Sequence, residues 1–100
     1  MEVKLVDRGR EGEVLLIGAM DALCQASLEQ LLGELTRRFD RLILNMAGVD
    51  YVFSPGLRLL KQLYLTMQAK GGELVLTHVE QSIVEVLELA GMTSLLHLMR

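Results

Sequence analysis

The chain has 100 residues, 51% of them hydrophobic and only 4% aromatic, with a formal net charge of −3 at pH 7 and one proline against 9 glycines. This composition fits one domain over residues 1–100, able to remove on the order of 60–70% of its unfolded surface from water, and excludes a disordered or collagen-like chain. A negative balance with no basic stripe argues against a nucleic-acid partner. The lone Cys24 cannot form an intrachain disulfide, which fits a reducing, cytoplasmic setting. Met1 to Lys4 carry charge with no apolar signal region, and the longest apolar run, residues 14–20, is far short of the ~20 residues of a membrane helix, so no membrane insertion is expected.

Taken in chain order, residues 3–6 predict a first strand, the polar stretch 8–12 a turn, and residues 13–17 a second strand, together a hairpin. Leu28, Leu31, Leu32, Leu35 and Phe39 recur at helical spacing, and Gly33 within that helix costs about 1 kcal/mol relative to alanine. Residues 42–44 and 74–76 are continuous aliphatic runs, the pattern of central strands covered on both faces. A helix over 55–69 follows the first and is stopped by Lys70-Gly71-Gly72; one over 81–90 follows the second, with Ile83, Val84, Val86, Leu87 and Ala90 inward, and is stopped by Gly91. The apolar tail, residues 92–99, predicts one more turn and a final strand. A hairpin followed by helix–strand repeats implies an α/β fold with a mixed, largely parallel sheet, right-handed crossovers and helices mainly on one side.

Few residues suit catalysis. His78 and His97 have no second ligand at metal spacing, so no metal site is expected. Cys24 has no positioned base beside it and reads as a packing residue. Gly71-Gly72 precedes a strand, whereas a phosphate loop precedes a helix, so no nucleotide or other cofactor is implied. The informative stretch is residues 45–57, which leaves a central strand and enters a helix, where an open α/β sheet presents its binding groups. Ser54 suits the N-cap of that helix and Pro55 its first position. Stepping about 100° per residue puts Leu57, Leu60, Leu63, Tyr64 and Met67 on one apolar face and Arg58, Lys61, Gln62 and Leu65 opposite, Leu65 being an aliphatic residue among polar ones.

These residues carry a resemblance. Leu42-Ile43-Leu44-Asn45 followed by Gly48-Val49-Asp50-Tyr51-Val52-Phe53-Ser54-Pro55-Gly56-Leu57 resembles the central motif of the STAS domain, the fold shared by sulphate transporters and anti-sigma factor antagonists. Gly18-Ala19-Met20-Asp21 is similar to the family's Gly-x-x-Asp, Gly71-Gly72 to its paired glycines before the next strand, and Val84 to Met92 to its last-helix signature. The resemblance implies a non-enzymatic binding module that docks on an ATP-dependent anti-sigma serine kinase and so governs release of a sigma factor. In the family, the kinase inactivates its antagonist by phosphorylating a hydroxyl at the start of the second helix, in Asp-Ser-Ser/Thr-Gly. Here Phe53 stands in place of the aspartate and Pro55 in place of the acceptor, leaving Ser54 as the one hydroxyl in the motif. The surface so implied comprises Asp21, Phe53, Ser54, Pro55, Gly56, Arg58, Lys61, Gln62 and Leu65. The alternative is a STAS subunit of another bacterial assembly, such as a lipid-transport ABC system. An apolar loop tip at Phe53 also allows a homodimer.

Overall fold

The computed structural model describes residues 1–21, 25–52, 54–91 and 97–99, the last three without their side chains. β1 (Glu2–Arg8) and β2 (Glu11–Met20) pair antiparallel through a two-residue turn, Gly9-Arg10, much tighter than the stretch 8–12 that sequence suggests. Gly9 has φ 84° and Arg10 stays in the ordinary negative range, the type II′ arrangement whose twist matches a hairpin. The Asp7 carboxylate accepts the Gly9 N–H at 2.9 Å.

α1 (Gln25–Arg38) buries Leu28, Leu32 and Leu35, with Phe39 fully buried just beyond it, whereas Leu31 faces outward. Its C-terminal carbonyls are met from elsewhere in the chain: Lys70 Nζ donates to Thr36 O at 2.7 Å and to Phe39 O at 3.0 Å. A cation at this end both fills orphan acceptors and opposes the negative pole of the helix.

β3 (Arg41–Val52) is far longer than the run 42–44 and absorbs most of the stretch expected to be loop. The reason is its register against β2. Leu15 pairs with Asn45, Ile17 with Gly48 and Ala19 with Tyr51, so β3 gains one residue on β2 at each of two irregularities. Burial accordingly changes from alternation at Leu42, Leu44 and Met46 to a three-residue step at Val49 and Val52. Gly48 permits the close approach: a Cβ there would lie 2.9 Å from Ile17 Cγ1 and 3.0 Å from the Leu16 carbonyl oxygen.

α2 (Ser54–Ala69) ends in a Schellman turn, Gly72 N–H donating to Met67 O at 2.8 Å and Gly71 N–H to Gln68 O at 3.1 Å, with Gly71 at φ 77°. β4 (Glu73–Thr77), α3 (Gln81–Leu89) and β5 (His97–Met99) complete the order. In α3, Ile83, Val84 and Leu87 are buried as expected, but Val86 and Ala90 are exposed. The expected turn within 92–96 lies outside the described residues.

The five strands lie in the order β1-β2-β3-β4-β5, antiparallel between β1 and β2 and parallel thereafter, as the sequence pattern implies. One core cluster joins Val14, Leu16, Leu42, Leu44, Leu74 and Leu76 of the sheet to the buried faces of α1, α2 and α3. The helices therefore gather on one side. On the opposite face a row of charge runs from β1 to β4: Arg8 to Glu13 at 2.7 Å, Glu11 to Arg41 at 2.8 Å, and Arg41 to Glu73 at 3.5 Å. Asn45 also donates to Glu13 at 3.1 Å. The hydrogen bonds from Arg8 and then Asn45 hold the Glu13 carboxyl below its ordinary range.

Candidate docking surface

Because Met20 pairs with Val52, β2 and β3 end side by side. Asp21 and the start of α2 therefore leave the same end of the parallel sheet, the position at which such sheets present binding groups. Asp21 is half-buried there. Phe53, like Cys24, lies outside the described residues.

Ser54 differs from the sequence expectation. The helix begins at Ser54 itself, with Pro55 second; the Ser54 side chain is exposed and has no hydrogen-bond partner among the described residues, so it does not cap the helix. Pro55 remains harmless in the first turn, where N–H groups have no helical acceptor. Gly56 also departs from the surface position expected of it. It is buried, and a Cβ there would lie 3.0 Å from Val52 Cγ1 and 3.2 Å from Met20 Cβ. Its role is to let α2 settle on the ends of β2 and β3, beneath the surface rather than in it.

Arg58, Lys61, Gln62 and Leu65 are all exposed and adjacent on the outer face of α2, Leu65 at 49%. Arg58 and Lys61 are the only charges on this 16-residue helix, which thus carries two positive charges and no carboxylate in a chain of net −3. The buried stripe is rotated from the predicted one. Leu59 joins Leu60, Leu63 and Met67 inside, whereas Leu57 and Tyr64 are only half-buried. Packing of α1 against that side of α2 is the cause.

Where the two helices meet they leave a groove. One depression of about 310 Å³ is lined by Gln25, Glu29, Pro55, Arg58, Leu59 and Gln62. A second of about 300 Å³ continues it past Gly33, Thr36, Leu63 and Thr66, sharing Glu29, Leu59 and Gln62 with the first. The groove starts beside Pro55 and runs along the exposed ridge. Among the described residues no group of three metal-ligating side chains converges, and His78 is exposed at φ 55° after β4.

Residues 5–100 match the STAS domain family. The chain belongs to that family. A relative in Bordetella bronchiseptica, the candidate anti-sigma factor antagonist BtrV, is 34% identical over an alignment of 74 residues that covers 70% of this chain and 64% of BtrV, so the match spans under two thirds of that protein. Among solved structures, an anti-sigma factor antagonist from Mycobacterium paratuberculosis superposes with a TM-score of 0.86 at 19% identity, covering 98% of this chain and 84% of its own. The antagonist SpoIIAA in its unphosphorylated form gives a TM-score of 0.81 at 14% identity, covering 99% and 88%. At these identities the structural likeness establishes the STAS fold and nothing finer. No helix among the described residues is long and apolar enough to cross a membrane.

In this STAS domain, the predicted surface residues fall into two sets. Asp21, Ser54 and Pro55 lie at the sheet end, while Arg58, Lys61, Gln62 and Leu65 form the ridge. Sequence reasoning missed the α1 wall of the groove, Glu29 and Gly33. Its one available signal was a glycine placed mid-helix, at a helix-propensity cost that core packing does not require.

Proposed function

We propose that this STAS domain is an anti-sigma factor antagonist-like module that docks on an ATP-dependent anti-sigma serine kinase through the outer face of α2 and the adjoining groove. The observation that carries this reading is the contiguous exposure of Arg58, Lys61, Gln62 and Leu65 on a helix without carboxylates, starting where β2 and β3 end. Two cations, the positive pole of the helix and one exposed leucine suit an acidic partner surface with an apolar centre. Docking needs no converging catalytic groups, so the module is non-enzymatic, and such a partner places it in the cytoplasm.

The usual switch is absent in this proposal, because Pro55 offers no hydroxyl where the family's acceptor stands. Phosphate at that position would add about −1.5 to −2 of charge to the docking surface and repel an acidic partner. Ser54 is exposed, but Arg58 lies one turn on, at the spacing of a helical ion pair, so phosphate at Ser54 would be partly neutralised within the helix.

Titration calorimetry against the anti-sigma kinase is the test. Arg58→Glu and Lys61→Glu should each weaken binding at least tenfold. Incubation with kinase and ATP should leave the intact mass unchanged, and Phe53→Asp with Pro55→Ser should create a single phosphorylation. Binding that ignores both charge reversals would sink the assignment of the surface. Phosphorylation of the unaltered chain would sink the loss of the switch.

A further inference from the structure

We propose that β1 joins two copies of this chain edge to edge, in an antiparallel pairing centred on Leu5. β1 is the first strand of the sheet order and pairs only with β2 among the described residues. Six of its seven residues are exposed, Leu5 at 40% and Val6 at 38%, so both faces of the strand are open beside the edge. The turn fixes which backbone groups remain available. A two-residue connection makes Arg8 and Glu11 the closing hydrogen-bonded pair. Alternation then directs the N–H and C=O groups of Glu2, Lys4, Val6 and Arg8 toward β2, and those of Val3, Leu5 and Asp7 outward. Three residues with outward donors and acceptors form a template for another strand.

The occupant is selected by charge. β1 reads Glu2-Val3-Lys4-Leu5-Val6-Asp7-Arg8, with two acidic and two basic residues. Outward groups must meet outward groups, so a symmetric pairing is centred on residue 4, 5 or 6 if it is to use most of the strand. Centred on Lys4, the pairing sets Lys4 against its own copy. Centred on Val6, it sets Lys4 against Arg8 twice. Centred on Leu5, it sets Glu2 opposite Arg8 at both ends, Lys4 opposite Val6, and Leu5 against Leu5. Like charges directly opposite are unfavourable and opposite charges favourable, so the Leu5 register prevails and also has the longest overlap. The Arg8 guanidinium already bonds Glu13 at 2.7 Å, but its side chain is 47% exposed and has further N–H donors for a second carboxylate.

Sedimentation equilibrium on the full chain tests the proposal, with circular dichroism to verify that each variant is folded. The mass should rise with concentration from 11.2 kDa toward twice that value. Leu5→Lys, at an exposed site, should leave a monomer. Glu2→Lys should weaken self-association at least tenfold, and adding Arg8→Glu should restore it. The register is read by oxidation in a Cys24→Ser background. Leu5→Cys should cross-link, since directly opposed Cα atoms at about 5.5 Å are within disulfide reach. Val6→Cys should not, since its copy would lie about 8 Å away. A mass fixed at 11.2 kDa at the highest soluble concentration would refute the pairing. So would a dimer that survives Leu5→Lys, and cross-linking at position 6 in preference to 5 would refute the register.

Discussion

Replacing Gly33 by alanine should make the protein more stable, although the new methyl group stands in the α1–α2 groove. Gly33 lies inside α1, and an added Cβ there meets no heavy atom within 4 Å beyond the helix's own adjacent backbone. No steric term therefore opposes the change, and no core contact is gained. What remains is helix propensity: glycine is about 0.8–1 kcal/mol less favourable than alanine in a helix interior, mainly through the backbone freedom it loses on folding. For a domain of this size that gain corresponds to roughly 4–8 °C in Tm. Urea denaturation should move the midpoint upward without altering the slope, since the surface exposed on unfolding is nearly unchanged. A lower Tm would refute the reasoning, because it would mean that the site is crowded or that Gly33 adopts a backbone no alanine can follow.

The same variant separates stability from recognition. Gly33 lines the groove together with Thr36, Leu59, Gln62 and Leu63. If a partner side chain enters there, Gly33→Ala binds it more weakly while melting at a higher temperature. Misfolding cannot produce that combination. Unchanged affinity would confine docking to the ridge of Arg58, Lys61, Gln62 and Leu65.

Two further substitutions probe the sheet. Gly12→Ala makes the same chemical change as Gly33→Ala with the opposite sign: its Cβ would lie 2.7 Å from two ring carbons of the fully buried Phe39, so thermal or urea unfolding should show a loss of about 1–3 kcal/mol. Glu13→Gln removes the negative charge and leaves one amide oxygen where two carboxylate oxygens accept from Arg8 and Asn45, and should cost about 1 kcal/mol at pH 7. The Glu13 carboxyl is lowered in the folded chain from an ordinary 4.5, so its contribution is complete above that value and is lost as the pH falls through the depressed folded one. Chemical unfolding followed against pH should show the two proteins converging only below about pH 4.5, and a constant difference down to low pH would remove Glu13 as its source.

The hairpin, the order of strands and helices, and the parallel centre were legible because each rests on an intact periodicity. β3 was not. Its two added residues break the alternation after Met46, so Ala47 to Val52 read as loop although they continue the strand. The α2 stripe was legible to within a rotation. Leu57 and Leu59 are the same residue in sequence, and only the position of α1 decides that the second is buried and the first half-exposed. Of the candidate surface, the ridge followed from helical spacing, but the role of Gly56 depends on contacts with Val52 and Met20 that no local pattern encodes. Residue type suits the Ser54 hydroxyl to a cap, whereas the helix starts one residue too early for it to serve.

The two surfaces are geometrically compatible, and their combination has a consequence for affinity. A two-fold axis through the Leu5 pairing runs perpendicular to the sheet, because Leu5 meets its copy on the same face. Leu5 also shares its face with Val14, its partner in β2, and Val14 belongs to the core beneath the helices. Both helix layers would then lie on one side of a continuous sheet, with β2 between each β1 edge and the strands β3 and β4 that α2 connects and packs against. Pairing at β1 leaves both α2 ridges open and facing the same way. A partner that is itself dimeric could engage both, the second contact being intramolecular and adding avidity without any new residue at the interface. Leu5→Lys would then weaken binding to a dimeric partner while leaving binding to a monomeric one unchanged, and Arg58→Glu would weaken both. Equal effects of Leu5→Lys on the two partners would mean that the edge acts on the ridge itself, and the two surfaces could not be independent.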